Sequence, residues 1–137
     1  MVLGIIGLIV GITVPSLLGA AKRLRLKTAT RETIGLIHLA RSLAISTHAD
    51  YAVVVDADHG EIRVVNVGTG TALEKAVHLP STVTAEVQVG GSPAAEPELV
   101  FRPSGSLSGR TMAVVLADKD RQQTITVTGP TGTVAVQ

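Results

Sequence analysis

Residues 1–21 read MVLGIIGLIVGITVPSLLGAA and carry no charged side chain. As a helix the run spans roughly 31 Å at about 1.5 Å per residue, the thickness of a bilayer core. It is therefore read as a transmembrane candidate. Two other readings stay open. A secretory signal needs a basic start and a shorter apolar core, which this run lacks, although Gly19-Ala20-Ala21 resembles a cleavage site. A buried helix of a soluble core is the other, but no further segment is as long or as purely apolar. Gly4, Gly7 and Gly11 recur at spacings of three and four along one stripe, small enough for another helix to approach closely. Pro15 removes one backbone hydrogen bond and is expected to kink or open the helix.

The flank is basic. Lys22, Arg23, Arg25, Lys27 and Arg31 all precede the first acidic residue, Glu32. By the positive-inside rule this cluster would hold the C-terminal part in the cytoplasm. The helical pattern continues beyond it. Leu26, Ala29, Thr33, Ile37, Ala40 and Ala44 repeat at three and four, with Ile34, Leu36, Leu39 and Leu43 widening the face. Arg23, Arg31, His38 and Arg41 are assigned to the polar side. No proline stands between Ser16 and Leu79, so the helix is expected to end near residues 46–50, about 70 Å from its start.

From Tyr51 the period becomes two. Seven strands are predicted: 51–55, 61–67, 83–89, 99–102, 112–116, 123–128 and 133–136, separated by Asp58-His59-Gly60, Gly90-Gly91-Ser92-Pro93 and similar turns. The fold class is α+β: one long N-terminal helix, half membrane and half amphipathic, packed on an antiparallel β-rich head. The expected division is 1–21 for the membrane or filament-core half, 22–50 for the amphipathic half and 51–137 for the head.

Composition narrows the functions. The chain has 137 residues, 12 Lys plus Arg against 11 Asp plus Glu, and a net charge of +1, which argues against a polyanion binder held by bulk charge. With no cysteine there is no disulfide, zinc-thiolate site or thiol nucleophile. Tyr51 and Phe101 are the only aromatic residues, too few for base stacking. His38, His48, His59 and His78 lie on separate elements without metal-ligand spacing. Asp56-x-Asp58 and Asp118-x-Asp120 offer oxygens to calcium, but without a full loop of ligands, and both flank turns where Asp is favoured anyway. Gly68-Thr69-Gly70 lacks the third glycine of a dinucleotide fingerprint, and no G-x-S-x-G elbow occurs. No catalytic residue, metal or cofactor is expected.

The sequence also resembles a known family. Residues 6–16, IGLIVGITVPS, look like the N-terminal helix of type IV pilins and type II secretion pseudopilins. Residues 39–45, LARSLAI, resemble the helix of the GspH/FimT-type minor pseudopilins. Residues 100–105, VFRPSG, are similar to their Phe-x-Pro-x-Gly strand and turn. Ile125-Thr126-Val127 and Gly132-Thr133-Val134 stand where that family has its last hairpin, so the resemblance runs from position 4 to 136.

The resemblance implies a filament subunit held in the bacterial inner membrane by its helix, with the head in the periplasm. It would enter a filament through that helix, with Gly4, Gly7, Gly11 and Pro15 as packing positions and other pseudopilin or pilin subunits as partners. A place near the tip of a type II secretion pseudopilus, in contact with secreted substrate, is the leading expectation. A minor pilin of a type IV pilus, for adhesion or DNA uptake, is the alternative, and a single-span membrane protein with a β head is the third class. DNA uptake of the Arg-tailed kind is disfavoured, because residues 131–137 carry no basic side chain, and Arg102, Arg110, Lys119 and Arg121 read as scattered surface charge. The family's basic leader, Gly-Phe cleavage site and nearby Glu are not in the sequence, which begins inside the apolar run; the expectation is a prepilin that starts upstream of Met1. Such a leader would compete with the Lys22 to Arg31 cluster for the cytoplasmic side.

Overall fold

The computed structural model describes the backbone of residues 2–136 and the side chains of 20, 21 and 23–136. One helix, α1 (Val2–Thr47), runs for 46 residues. It continues through Pro15. The packing expected at Gly4, Gly7, Gly11 and Pro15 falls where side chains lie outside the described residues. Among the described residues no helix is long and apolar enough to cross a membrane. His48 ends α1 with φ of 54°, the left-handed cap position more often filled by glycine.

Among the described residues the head has nine strands rather than seven: β1 (Tyr51–Asp56), β2 (Glu61–Asn66), β3 (Ala72–His78), β4 (Thr84–Val89), β5 (Ser92–Pro93), β6 (Glu98–Phe101), β7 (Met112–Ala117), β8 (Gln122–Val127) and β9 (Val134–Val136). They form two antiparallel sheets, ordered β3-β2-β1-β6 and β5-β4-β7-β8-β9. Two strands were not expected. β3 is an edge strand with a largely exposed surface, and its register with β2 shifts between Arg63 and Val65, so it lacks a clean alternation. β5 is only two residues long and follows directly on the Gly90-Gly91 turn, in a segment that reads as a breaker. The chain passes between the sheets three times, after β3, β5 and β6.

The helix stripe read from the sequence is the buried one. Leu26, Ala29, Thr33, Ile37, Ala40 and Ala44 are all buried, and Leu36 and Thr30 join them. They meet Val53, Val55, Ile62, Val64, Leu99 and Phe101 of the first sheet. From the second sheet come Ala85, Val87, Val114, Leu116, Ile125 and Val127, all in one continuous core. Two threonines sit in this stripe without cost to satisfaction. Thr30 Oγ1 donates to Leu26 O at 2.8 Å and Thr33 Oγ1 to Ala29 O at 2.7 Å, each within its own helix. Burying a side chain such as Leu36 or Ile37 contributes about 1.5–3 kcal/mol, so the stripe is a main source of the head's stability.

The difference between the faces is measurable. Leu36→Ala leaves a cavity in the shared core and should lower stability by about 2–5 kcal/mol. Leu24→Ala, at a position 61% exposed, should change it by less than about 0.5 kcal/mol. Urea unfolding of the full chain in detergent, followed by circular dichroism, gives both values.

Candidate assembly surface at the helix–head junction

Arg41 departs from the sequence reading. The helical periodicity puts it on the polar side, yet it is half-buried, its Nε donating to Gly105 O at 3.0 Å and its Nη2 to Thr131 O at 3.3 Å. On a helical wheel it lies about 80° from the centre of the buried stripe, at its margin. Its acceptors belong to two separate loops. Gly105 lies beyond β6 of the first sheet, and Thr131 lies between β8 and β9 of the second. One guanidinium thus joins α1 to both sheets.

Glycine makes this junction possible. Gly105 has φ of 87° and Gly132 has φ of 68°, a region that side chains rarely adopt. A Cβ at Gly132 would collide with the carbonyl oxygen of Gly105 and stand 2.9 Å from Arg41 Nε. The intervening segment is stitched to both sheets. Leu107, buried, pairs with Phe101, its N–H donates to Gly129 O at 2.8 Å, and Ser108 N donates to Val100 O at 2.8 Å.

Two open clefts flank α1 where it leaves the head. The larger, about 480 Å³, is bounded by Arg23, Lys27, Arg31 and Arg121, with Leu26, Thr30, Ile34, Gln123 and Val136 completing its walls. Arg121, which read as scattered surface charge, therefore joins three of the helix cations. The smaller, about 170 Å³, lies on the opposite flank between Arg25, Thr28, Ala29, Glu32, His78 and Pro80.

The candidate calcium carboxylates occupy turns. Asp56 Oδ1 accepts from His59 N at 3.2 Å, and its Oδ2 lies 2.8 Å from His59 Nδ1 and 3.5 Å from Arg63 Nη2. Asp118 Oδ1 accepts from Asp120 N and Arg121 N at 2.8 and 2.7 Å. Asp58 and Asp120 are exposed on those turns. Among the described residues no three His, Asp or Glu side chains converge as a metal site. His38 is exposed on α1, and His48 caps its end.

Among the described residues, the surroundings of two carboxyl groups move them away from their usual ranges. The hydrogen bond with His59, outweighing desolvation, holds Asp56 below its ordinary 3.8. Burial, and then repulsion from Glu96, pushes Glu98 above its ordinary 4.5.

The family model of the type II transport protein GspH matches residues 29–132, which span the buried half of α1 and most of the head. The chain belongs to the GspH family. Its fold is that of solved pilin-like subunits. The type IV minor pilin FimU of Pseudomonas aeruginosa aligns with a TM-score of 0.68 at 16% identity, covering 85% of this chain and 90% of FimU. The minor pseudopilin EpsH of the type 2 secretion system of Vibrio cholerae aligns with a TM-score of 0.59 at 19% identity, covering 85% of this chain and 95% of EpsH. No curated protein matches the sequence. In this GspH-family fold the VFRPSG segment is the end of β6 and the loop that receives Arg41. The TITV and TGTV segments are β8 and the approach to β9.

Two sets of measurements test the junction and its flanking charges. Gly132→Ala combines left-handed strain with a backbone collision and should cost about 3 kcal/mol or more. Arg41→Ala should cost about 2 kcal/mol. The double variant should fall short of the sum, because the two act on one contact. For pH, the depressed Asp56 contributes stability that is present above 3.8 and lost as pH falls through its folded value. The raised Glu98 works oppositely: its contribution is full below 4.5 and lost as pH rises. Asp56→Asn should therefore lower the urea midpoint at neutral pH, and Glu98→Gln should raise it, with both differences shrinking in acid.

Proposed function

We propose that the chain is a minor pseudopilin of a type II secretion pseudopilus, with a structural role near the filament tip. The observation that carries this reading is the GspH-family match over residues 29–132, on a pilin-like fold whose helix extends N-terminally into an uncharged run. On this reading residues 1–21 cross the bacterial inner membrane and later pack in the filament core. Residues 22–50 couple that segment to the head, and residues 51–137 form the head in the periplasm. Gly4, Gly7 and Gly11 let neighbouring helices approach, and Pro15 gives the helix a point of bending. The partners are other pseudopilin subunits, and the role is assembly rather than catalysis.

A type IV minor pilin is the second reading, favoured by the higher TM-score to FimU than to EpsH. Its DNA-uptake form lacks support, since the segment from Thr131 to Val136 has no basic residue.

Deletion of the gene followed by complementation separates the two. Loss of type II secretion with pilus-driven motility intact supports the pseudopilin reading, and the reverse supports the pilin. Replacing both Gly7 and Gly11 with leucine should block filament entry without shifting the urea midpoint of the head. Normal assembly of that variant would count against the packing role of these glycines.

A further inference from the structure

We propose that the cleft between α1 and the β8–β9 side of the head binds the phosphate headgroup of an anionic membrane lipid. The proposal rests on the reading that residues 1–21 lie in a bilayer. Arg23, Lys27 and Arg31 recur every fourth residue, so they form one row along the helix. Arg121 faces the same cleft from the opposite wall. All four are exposed, and among the described residues none has a carboxylate within 4.0 Å; the ion pairs found there involve only His59, Arg63, Asp56 and Glu61. Four like charges around one cleft repel one another, and an anion entering it relieves that repulsion. Between them the cleft is lined by Leu26, which is buried, and Ile34, which is half-buried. Cations around apolar side chains suit an amphiphile with a charged head.

Height along the helix selects the lipid. Counting from Ala21, Arg23 stands about 3 Å above the uncharged run, Lys27 about 9 Å and Arg31 about 15 Å. The headgroup zone of one leaflet is roughly 5–7 Å deep. Long basic side chains reach back toward it along their aliphatic stems. The lower cations therefore meet lipid phosphates directly, and Arg31 with Arg121 caps the site from the head. Arginine pairs with phosphate through two parallel hydrogen bonds, which gives the site geometry as well as charge. A lipid held here fixes the head's height and rotation above the membrane before the helix is withdrawn.

Arg121 provides the test, because it belongs to the head and not to the basic belt of the helix. The full chain is reconstituted into nanodiscs of phosphatidylcholine containing a minority of phosphatidylglycerol, and retained lipids are counted by native mass spectrometry. The wild type should retain phosphatidylglycerol preferentially. Arg121→Gln should reduce that preference about fivefold, the equivalent of about 1 kcal/mol for one basic residue at a membrane surface. Arg110→Gln, an exposed arginine that does not line the cleft, should leave it unchanged. An unchanged preference in Arg121→Gln overturns the cleft site. Displacement of the lipid by millimolar inorganic phosphate overturns it in favour of a free-anion site. A photo-crosslinker at Gln123 that captures a neighbouring protein and no lipid in cells overturns it in favour of a subunit contact. A chain released from membranes by alkaline extraction overturns both this proposal and the membrane reading. An inserted chain with no anionic preference overturns this proposal alone.

Discussion

The stripe from Leu26 to Ala44 is the surface on which both sheets depend. Among the described residues no strand of one sheet pairs with a strand of the other, yet side chains from both belong to a single core. Each sheet has an apolar face that must be covered, and α1 contacts strands of both. The small residues of the stripe matter as much as the large ones. Ala29, Ala40 and Ala44 allow close approach, while Leu36 and Ile37 fill the space between strands. The helix is thus a structural part of the head, not a tether attached to it.

Apolar contact is non-directional, so the stripe alone does not fix how the helix sits along its axis. Arg41 supplies direction. Its donors meet carbonyls from a loop of each sheet, and hydrogen bonds weaken steeply when misaligned. Sliding or rotating α1 would break both bonds and leave two carbonyls without that donor. Under the filament reading the helix transmits force between the filament core and the head. A polar pin at the point where both sheets meet the helix resists such a load more specifically than oil-like packing. The two left-handed glycines are then a consequence, because the loops must come within reach of the same guanidinium.

What the sequence disclosed was local. Spacing at three and four identified every one of the six stripe residues, and alternation located β1, β2, β4, β6, β7, β8 and β9 within a residue or two. Asp56 and Asp118 read as turn formers, and both accept backbone N–H groups in turns. Edge structure was harder to see. In β3 the adjacent Glu74 and Lys75 are both exposed, which hides the period of two while protecting the edge from further pairing. The junction itself was illegible for a different reason. Arg41 bonds residues 64 and 90 positions away, and Arg121 meets cations from the other end of the chain. A single sequence carries no periodic signal for such contacts, so a long cation at the margin of a helix face looks like any other surface charge.

The same charges bear on how copies can meet. β9 is a short edge strand without a charged side chain, and Val136 on it is 47% exposed. Such an edge invites pairing with its counterpart on a second copy. A two-fold pairing of this kind, however, would bring two clefts together, each rimmed by Arg23, Lys27, Arg31 and Arg121. Like-charge repulsion therefore opposes the closed dimer that the exposed edge would otherwise favour. A head-to-tail contact, in which this flank meets a different surface of the next subunit, escapes that repulsion. Contacts of that type build rings where the rotation between copies closes and helical assemblies where it does not. Four cations beside an uncharged edge thus favour a head-to-tail contact over a two-fold one until an anion in the cleft neutralises them.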